Sequence, residues 1–363
     1  MKILILASSF PYPPEDGVRI KVYYLIRGLA ERGHKIHLLS FTDIPRCNCE
    51  LAKYCETIDT IKLAKRSSFI VNILTNLLSK HMLYSRFKSE MFARKLSHII
   101  KNEFIDIVHF DMPSLAQYVE IVKNHLPSVL SINDSHSLTI RDIIFVKKEM
   151  SLLEKTYYAA QFPIATFYER NYYTCAQFQK IHVVSPVDEW YLKSLNPKMD
   201  VQVIPNGVDT NFYRPFEAIS SSKGYLLVYV ASLRAHRHEI AWFIRKVLPS
   251  VTKKMKNVTL CLVGKGLPKY LILEARNKGN IQITGYVNDI RPFLNKAHVF
   301  VDPLLKSGGI PNHVLQAMAM EKPVVGTKFS FSAIKGAKSW KNVVMAKDEN
   351  DFASKIIYLL ENE

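Results

Sequence analysis

No apolar run in this chain comes near the ~18 residues a helix needs to cross a bilayer, so a membrane-spanning protein is not expected. Acidic residues are scarce against basic ones, 32 Asp and Glu to 49 Lys and Arg, for a formal charge of +17. That balance implies an anionic partner: nucleotide phosphate, lipid head group or nucleic acid. The last of these has little else behind it, because no recognition-helix pattern, zinc spacing or RNP-like aromatic motif accompanies the charge. Cysteine is sparse as well, five residues at 47, 49, 55, 175 and 261. The set is odd and scattered, with no second ligand pair or nearby histidine, so free thiols in a reducing cytoplasm are expected and a metal is not. Low-complexity segments are missing, and with them the usual sign of disorder.

What is present is a chain of 363 residues with 48% hydrophobic content, enough for two domains with ample cores. Apolar strands alternate with amphipathic helical stretches, which predicts parallel α/β sheets. Met1 to Ala7 predicts a first strand rather than a signal peptide. A loop from Ser8 to Gly17, a helix over 18–32 and a strand over 34–41 follow. Further strands are expected at 105–110, 129–132, 181–184 and 201–204, with a long helix over 151–178. Pro205-Asn206-Gly207-Val208-Asp209 is a turn-forming hinge. The second series has strands at 225–230, 259–263, 281–284, 298–301 and 324–325, with helices over 239–254, around Leu271, over 289–295 and over 352–360. The expected fold is therefore two Rossmann-like, doubly wound parallel-sheet domains, residues 1–205 and 206–363, facing a central cleft.

Charge is uneven along the chain. Ile61 to Lys101 holds nine Lys or Arg against the single acid Glu90, a net +8. Inside that segment, Phe69, Ile70, Val71, Ile73, Leu74, Leu77 and Leu78 recur at helical spacing, with Lys62, Lys65 and Arg66 before them and Lys80, Arg86 and Lys88 after. A helix lying on an anionic membrane surface fits this pattern. Packing of the same apolar face on the N-terminal sheet fits it too.

The most informative segment runs from Ser307 to Val325. Gly308 and Gly309 open a helix after an apolar strand, and Pro311 suits its first turn. Backbone amides and the positive helix end can there meet an anion. With Ser9 to Pro14, Gly17, Arg19, Gly28 and Gly33-His34, then Ile204 to Asp209 with Phe212 and Pro215, then Leu262-Val263-Gly264 and Thr284 to Pro292, this segment resembles the family 4 glycosyltransferases of the two-Rossmann-domain, GT-B kind. The similarity is greatest to sugar transferases of bacterial exopolysaccharide systems.

The resemblance implies transfer of a sugar from a nucleotide diphosphate sugar, with retained anomeric configuration, to a saccharide or lipid-linked acceptor. It implies no cofactor besides that donor substrate, and a cytoplasmic location at the membrane face. The leaving diphosphate develops negative charge that amides and cations must meet. Gly17, Gly308 and Gly309 are the expected backbone contacts, and Arg234 and Arg237 the expected cations. Tyr286 and Val287 stand where the family holds the nucleobase. Gln316 stands where a glutamate usually accepts bonds from the ribose hydroxyls, as a neutral acceptor weaker by perhaps ~1 kcal/mol. Gly308 replaces another common glutamate, and His313 a common lysine. On the acceptor side, Asp134 and His109 at carboxyl strand ends are the candidates to orient or deprotonate a hydroxyl. Asp134 can equally cap the following helix. Glu169-Arg170 is expected to be a helical surface salt bridge. A second reading keeps the fold and the nucleotide-sugar or partner binding without turnover.

Overall fold

A computed structural model describes the chain except residues 15, 43–49, 64–81, 147–149, 175–176, 218–223, 307–308 and 363, and only the backbone of 82, 83, 85 and 146. Gly308, Cys47, Cys49, Cys175 and the apolar stretch Phe69–Leu78 lie outside the described residues. Two units divide the chain: Met1–Leu138 with Ala160–Ile204, and Thr139–Ala159 with Pro205–Glu363.

The first unit is built on a parallel sheet of β1 (Lys2–Ala7), β2 (Lys35–Thr42), β3 (Thr57–Lys62), β4 (Ile107–Asp111), β5 (Ser128–Ser131), β6 (Lys180–Val183) and β7 (Val201–Val203). Their order is β3-β2-β1-β4-β5-β6-β7. Side chains alternate between faces with a period of two. Leu4, Leu6, Val108 and Phe110 join one buried cluster, whereas Ile3, Ile5 and Ile107 pack against Val22, Tyr23 and Ile26 of the helix Gly17–Ala30. By that alternation His109 and Asp111 share the face covered by this helix.

The second unit holds β8 (Tyr225–Val230), β9 (Val258–Val263), β10 (Ile281–Gly285), β11 (Val299–Asp302), β12 (Val324–Thr327) and β13 (Val344–Ala346), ordered β10-β9-β8-β11-β12-β13. Its core lies on both faces, around Leu227, Tyr229 and Leu260 on one side and Val228, Phe300 and Val314 on the other. The expected doubly wound sheets are thus present.

Several elements differ from expectation. β3 and β13 are additional strands, and the helix expected over 239–254 is interrupted. It runs from Arg237 to Trp242, widens into a π turn at Phe243–Val247, and resumes over Leu248–Lys254 with Pro249 in its first turn. Proline has no N–H to donate to the preceding turn, which accounts for the break.

The segment rich in Lys and Arg ends in ordinary core packing. Ser89 caps the helix Glu90–Asn102 through Phe92 N (3.2 Å), and Phe92, Leu96 and Ile99 bury its apolar face. Lys95 on the other side pairs with Asp59 at 2.8 Å. Among the described residues, no helix is long and apolar enough to cross a membrane.

The helix Asn312–Ala319 ends in a Schellman motif: Glu321 N donates to Met318 O (3.0 Å) and Lys322 N to Ala317 O (3.0 Å). The residue at the turn is Glu321, at φ 57, a conformation that strains any side-chain-bearing residue. Glu321→Gly should therefore stabilise the second unit by about 0.5–1 kcal/mol, raising its melting midpoint by roughly 2–4 °C in calorimetry.

Candidate functional site

In each sheet the strand order reverses once, between β1 and β4 and between β8 and β11. Doubly wound sheets bind ligands at that reversal, beyond the carboxyl strand ends. In the second unit the loops after β8 and β11 flank it. Gly264 ends β9 at φ 140, and a Cβ there would sit 2.0 Å from the carbonyl oxygen of Ala231, so only glycine lets these strand ends meet. Arg234, in the loop after β8, is exposed and lies along Gly266, where an added Cβ would be 3.1 Å from the arginine Cβ.

Gly309 is buried and holds φ 63 on the way into the helix Asn312–Ala319. Pro311 precedes this helix and no side chain caps it. The helix Gly17–Ala30 differs: the Asp16 carboxylate accepts from Val18 N (3.1 Å) and Arg19 N (3.0 Å). Gly17 therefore opens a helix end already filled by a carboxylate, which repels phosphate. Arg237 is also committed. Its Nη2 lies 2.5 Å from Glu154 Oε1. Burial alone would push the Glu154 carboxyl up, but the hydrogen bond from Arg237 holds it below its ordinary value.

Tyr286 stands half-exposed with the Lys265 ammonium 5.4 Å from its ring centre, an arrangement open to a flat ligand. Val287 instead packs against the core around Val228 and Phe300. Gln316 is only 4% exposed. Its Oε1 lies 2.6 Å from His313 Nδ1 and its Nε2 donates to the Tyr213 hydroxyl at 3.0 Å. Asp302, at the end of β11, was not expected to matter. Burial pushes its carboxyl up to about 7, Ser330 draws it back, and the charge of Glu239 raises it further.

In the first unit, Asp111, Ser131 and His182 are register partners across β4, β5 and β6. Lys21, on the helix Gly17–Ala30, reaches down onto this row. Its Nζ is 2.6 Å from Asp111 Oδ1 and donates to Ser131 Oγ at 3.1 Å. Ser131 Oγ is 2.7 Å from His182 Nδ1, and His182 Nε2 is 2.8 Å from the Ile204 carbonyl. A carbonyl only accepts, so Nε2 carries the proton and Nδ1 accepts from Ser131. His109 sits beside this row. Burial first, then the charge of Lys21 and the neighbouring His182, hold its imidazole down to about 3. It is neutral and a poor base at physiological pH. Directly after Asp111 the chain turns through Met112 at φ 83, a strained conformation for a non-glycine residue.

Asp134 follows β5 half-buried. It does not cap the next helix, because Ser135 Oγ accepts from Leu138 N (3.2 Å) and takes that position.

Glu169 corrects the sequence reading. Rather than forming a surface ion pair with Arg170, it is 1% exposed. It accepts from Ser135 Oγ (2.9 Å), His136 N (2.6 Å) and Ser137 N (3.4 Å), and from Ser137 Oγ. Burial pushes its carboxyl up to about 7, against the pull of Ser137, Ser135 and the two amides. A glutamate on an apolar helical face at this spacing gave no sign of those partners, which lie 32 to 34 positions away.

Comparison with known proteins agrees with this geometry. The model of Glycosyltransferase Family 4 matches residues 16–212, and that of Glycosyl transferases group 1 matches 224–362. A Klebsiella pneumoniae protein, described as an uncharacterized 44.6 kDa protein in the cps region, is 22% identical, with 99% of this chain and 91% of that protein covered. An uncharacterized glycosyltransferase of Methanocaldococcus jannaschii is 27% identical over 149 residues, 38% of this chain; the match spans 36% of that relative's length. Among solved structures, sucrose-phosphate synthase of Thermosynechococcus elongatus superposes with a TM-score of 0.76 at 15% identity, covering 100% of this chain and 90% of that one. HepE of Anabaena in complex with UDP gives 0.63 at 13%, with the same coverage. These likenesses show the fold, the two-sheet arrangement of GT-B glycosyltransferases. With one family model over its first unit and another over its second, the chain belongs to glycosyltransferase family 4.

Proposed function

We propose that the protein transfers a sugar from a nucleoside diphosphate sugar, with retention, to a saccharide or lipid-linked acceptor in the synthesis of a polysaccharide or glycoconjugate. The observation that carries this is the uncapped start of the helix Asn312–Ala319, entered through Gly309 at φ 63, beside the reversal point of the second sheet. Its first-turn amides and dipole suit the leaving diphosphate. Arg234 is the cation placed to meet the growing charge, since Arg237 is paired with Glu154. Tyr286 offers a face to the base. UDP bound in HepE and the cps-region relative support the donor class and the pathway. On the acceptor side, Asp134 orients or deprotonates the incoming hydroxyl, with His109 as a neutral neighbour.

The test is calorimetric titration of UDP into the intact protein. Arg234→Gln should weaken binding about tenfold, ~1.4 kcal/mol, and Gly309→Val should abolish it by closing the approach to the backbone. Unchanged affinity in both variants, with the far-UV spectrum intact, sinks the assignment.

An anionic membrane surface is the proposed site of action. Arg86 and Lys88 of the first unit are exposed. Co-sedimentation with vesicles should need anionic lipid and fade at high salt, each basic residue being worth about 1 kcal/mol at the surface. Binding that survives Lys80, Arg86 and Lys88 all becoming glutamine rules out this segment as the contact.

A further inference from the structure

From Lys322 to Lys347 the chain carries six lysines and no acidic residue. Lys335, Lys338 and Lys341 sit there on one loop, all exposed and without an ion pair among the described residues. Between them Trp340 is 54% exposed and held at φ 62. A large side chain in that conformation is strained, and the strain persists only where surrounding bonds impose it. Here they do. Trp340 N donates to the Val343 carbonyl at 2.8 Å, and Lys341 N to the Lys338 carbonyl at 3.1 Å. The Asn342 side chain clamps the loop: its oxygen accepts from Lys338 N at 2.8 Å, and its NH2 donates to the Gly336 carbonyl at 3.0 Å. The result is a fixed turn that gathers three lysine positions around an exposed tryptophan.

This turn is separate from the loop assigned to the donor. β12 and β13 are parallel, and the turn leads into β13 at its amino end, on the outer edge of the sheet. The loop after β11 leaves its strand at the carboxyl end, where the reversal point lies. The two therefore belong to opposite ends of one parallel sheet.

An open aromatic ring among cations fits a ligand with an apolar face and negative charge. Successive nucleic-acid bases call for a row of stacking rings. Tyr358, the aromatic neighbour of Trp340, stands at 84° to it with ring centres 5.1 Å apart, so the two rings offer no common platform. A bilayer surface calls for a broad apolar face, and the exposed residues on either side of Trp340, Ser339 and Lys341, are polar. An acidic saccharide matches the turn as it stands. One pyranose ring can lay its C–H face on one indole while carboxylates along the chain meet the ammonium groups. Membership of a glycosyltransferase family puts saccharides among the molecules this chain handles.

We propose that the turn around Trp340 is an accessory binding site for an acidic saccharide chain, with Trp340 as the stacking face and Lys335, Lys338 and Lys341 as the carboxylate contacts. It holds such a chain rather than reacting it, since it lies at the opposite end of the sheet from the reversal point.

The probe is hexagalacturonate, titrated calorimetrically into the intact protein at low and high salt, with maltohexaose as the uncharged control. The wild type should bind hexagalacturonate about tenfold more tightly than maltohexaose, and less tightly at high salt. Trp340→Gly keeps the turn, because φ 62 costs glycine nothing, and should weaken binding about tenfold. Replacing Lys335, Lys338 and Lys341 together with glutamine should also weaken it about tenfold and flatten the salt dependence. Melting midpoints should not fall in either variant. No arm needs the donor to bind, so this inference and the donor-site reading can fail separately. A wild type that ignores hexagalacturonate, or full affinity in either variant, overturns the inference. So does a Trp340→Gly variant that keeps hexagalacturonate but loses phosphatidylglycerol vesicles or single-stranded oligothymidylate, which would make the turn a lipid or nucleic-acid contact instead.

Discussion

Glu169→Ala is expected to destabilise the first unit by about 3–5 kcal/mol, since four buried donors lose their acceptor at ~1 kcal/mol or more each. Two of the four, His136 N and Ser137 N, are first-turn amides of the helix His136–Val146. The carboxylate thus also sits at the positive end of a helix dipole. Losing it frees the turn after β5, which carries Asp134. Calorimetry should show an early transition of the first unit. Activity should fall even at temperatures where the fold survives, because the turn is no longer held.

The same group has a pH signature. Its carboxyl is raised from the ordinary 4.5 to about 7 in the folded protein. Stability from a raised acid is fully present below its unfolded pKa and is lost as pH rises through the folded one. The contribution of Glu169 should therefore decline between about pH 4.5 and 7. Glu169→Gln cannot titrate, so the difference between the wild-type and variant melting profiles should slope across that window. A flat difference shows that Glu169 is ionised throughout.

Lys21→Met should cost a comparable ~3–5 kcal/mol, by leaving Asp111 buried without its counter-charge. Asp111 is fully buried and Lys21 is 11% exposed, so the pair is shielded from solvent and salt. The decisive variant is the double one. Replacing both charges with apolar residues of similar size is often neutral. Lys21→Met with Asp111→Leu should therefore recover most of the loss in chemical denaturation. If the double variant is as unstable as Lys21→Met alone, the row serves through its hydrogen bonds to Ser131 and His182 rather than through charge balance.

Strand and helix alternation made the two sheets legible, because burying both faces of a parallel sheet demands continuous apolar runs. β3 carries little signal because Thr57 to Lys62 is an edge strand whose only apolar residues, Ile58 and Ile61, lie three positions apart rather than two. β13 escaped notice because three residues carry too little pattern. The helix Arg237–Lys254 looked continuous since its apolar period runs on through the π turn. At the proposed donor loop, the Gly-Gly-x-Pro pattern is local and visible in the sequence itself. The occupancy of each charged group could not. Whether Arg234 or Arg237 is available depends on Glu154, some eighty positions away in the chain. Lys21 is separated from Ser131 by 110 positions, and nothing near it in sequence hints at a buried amine.

The row from Asp111 through Ser131 to His182 also limits how this sequence can drift. Each member satisfies the next: the ammonium needs the carboxylate and the hydroxyl, the hydroxyl needs the imidazole, and the imidazole needs the carbonyl of Ile204. A change at Lys21, Asp111 or Ser131 strands a neighbour away from water, so single replacements at that buried end are costly while concerted ones are not. Related chains should therefore carry this row either whole or replaced as a block. Lys21, Asp111, Ser131 and His182 should then change together, though they come from four separate stretches of the chain.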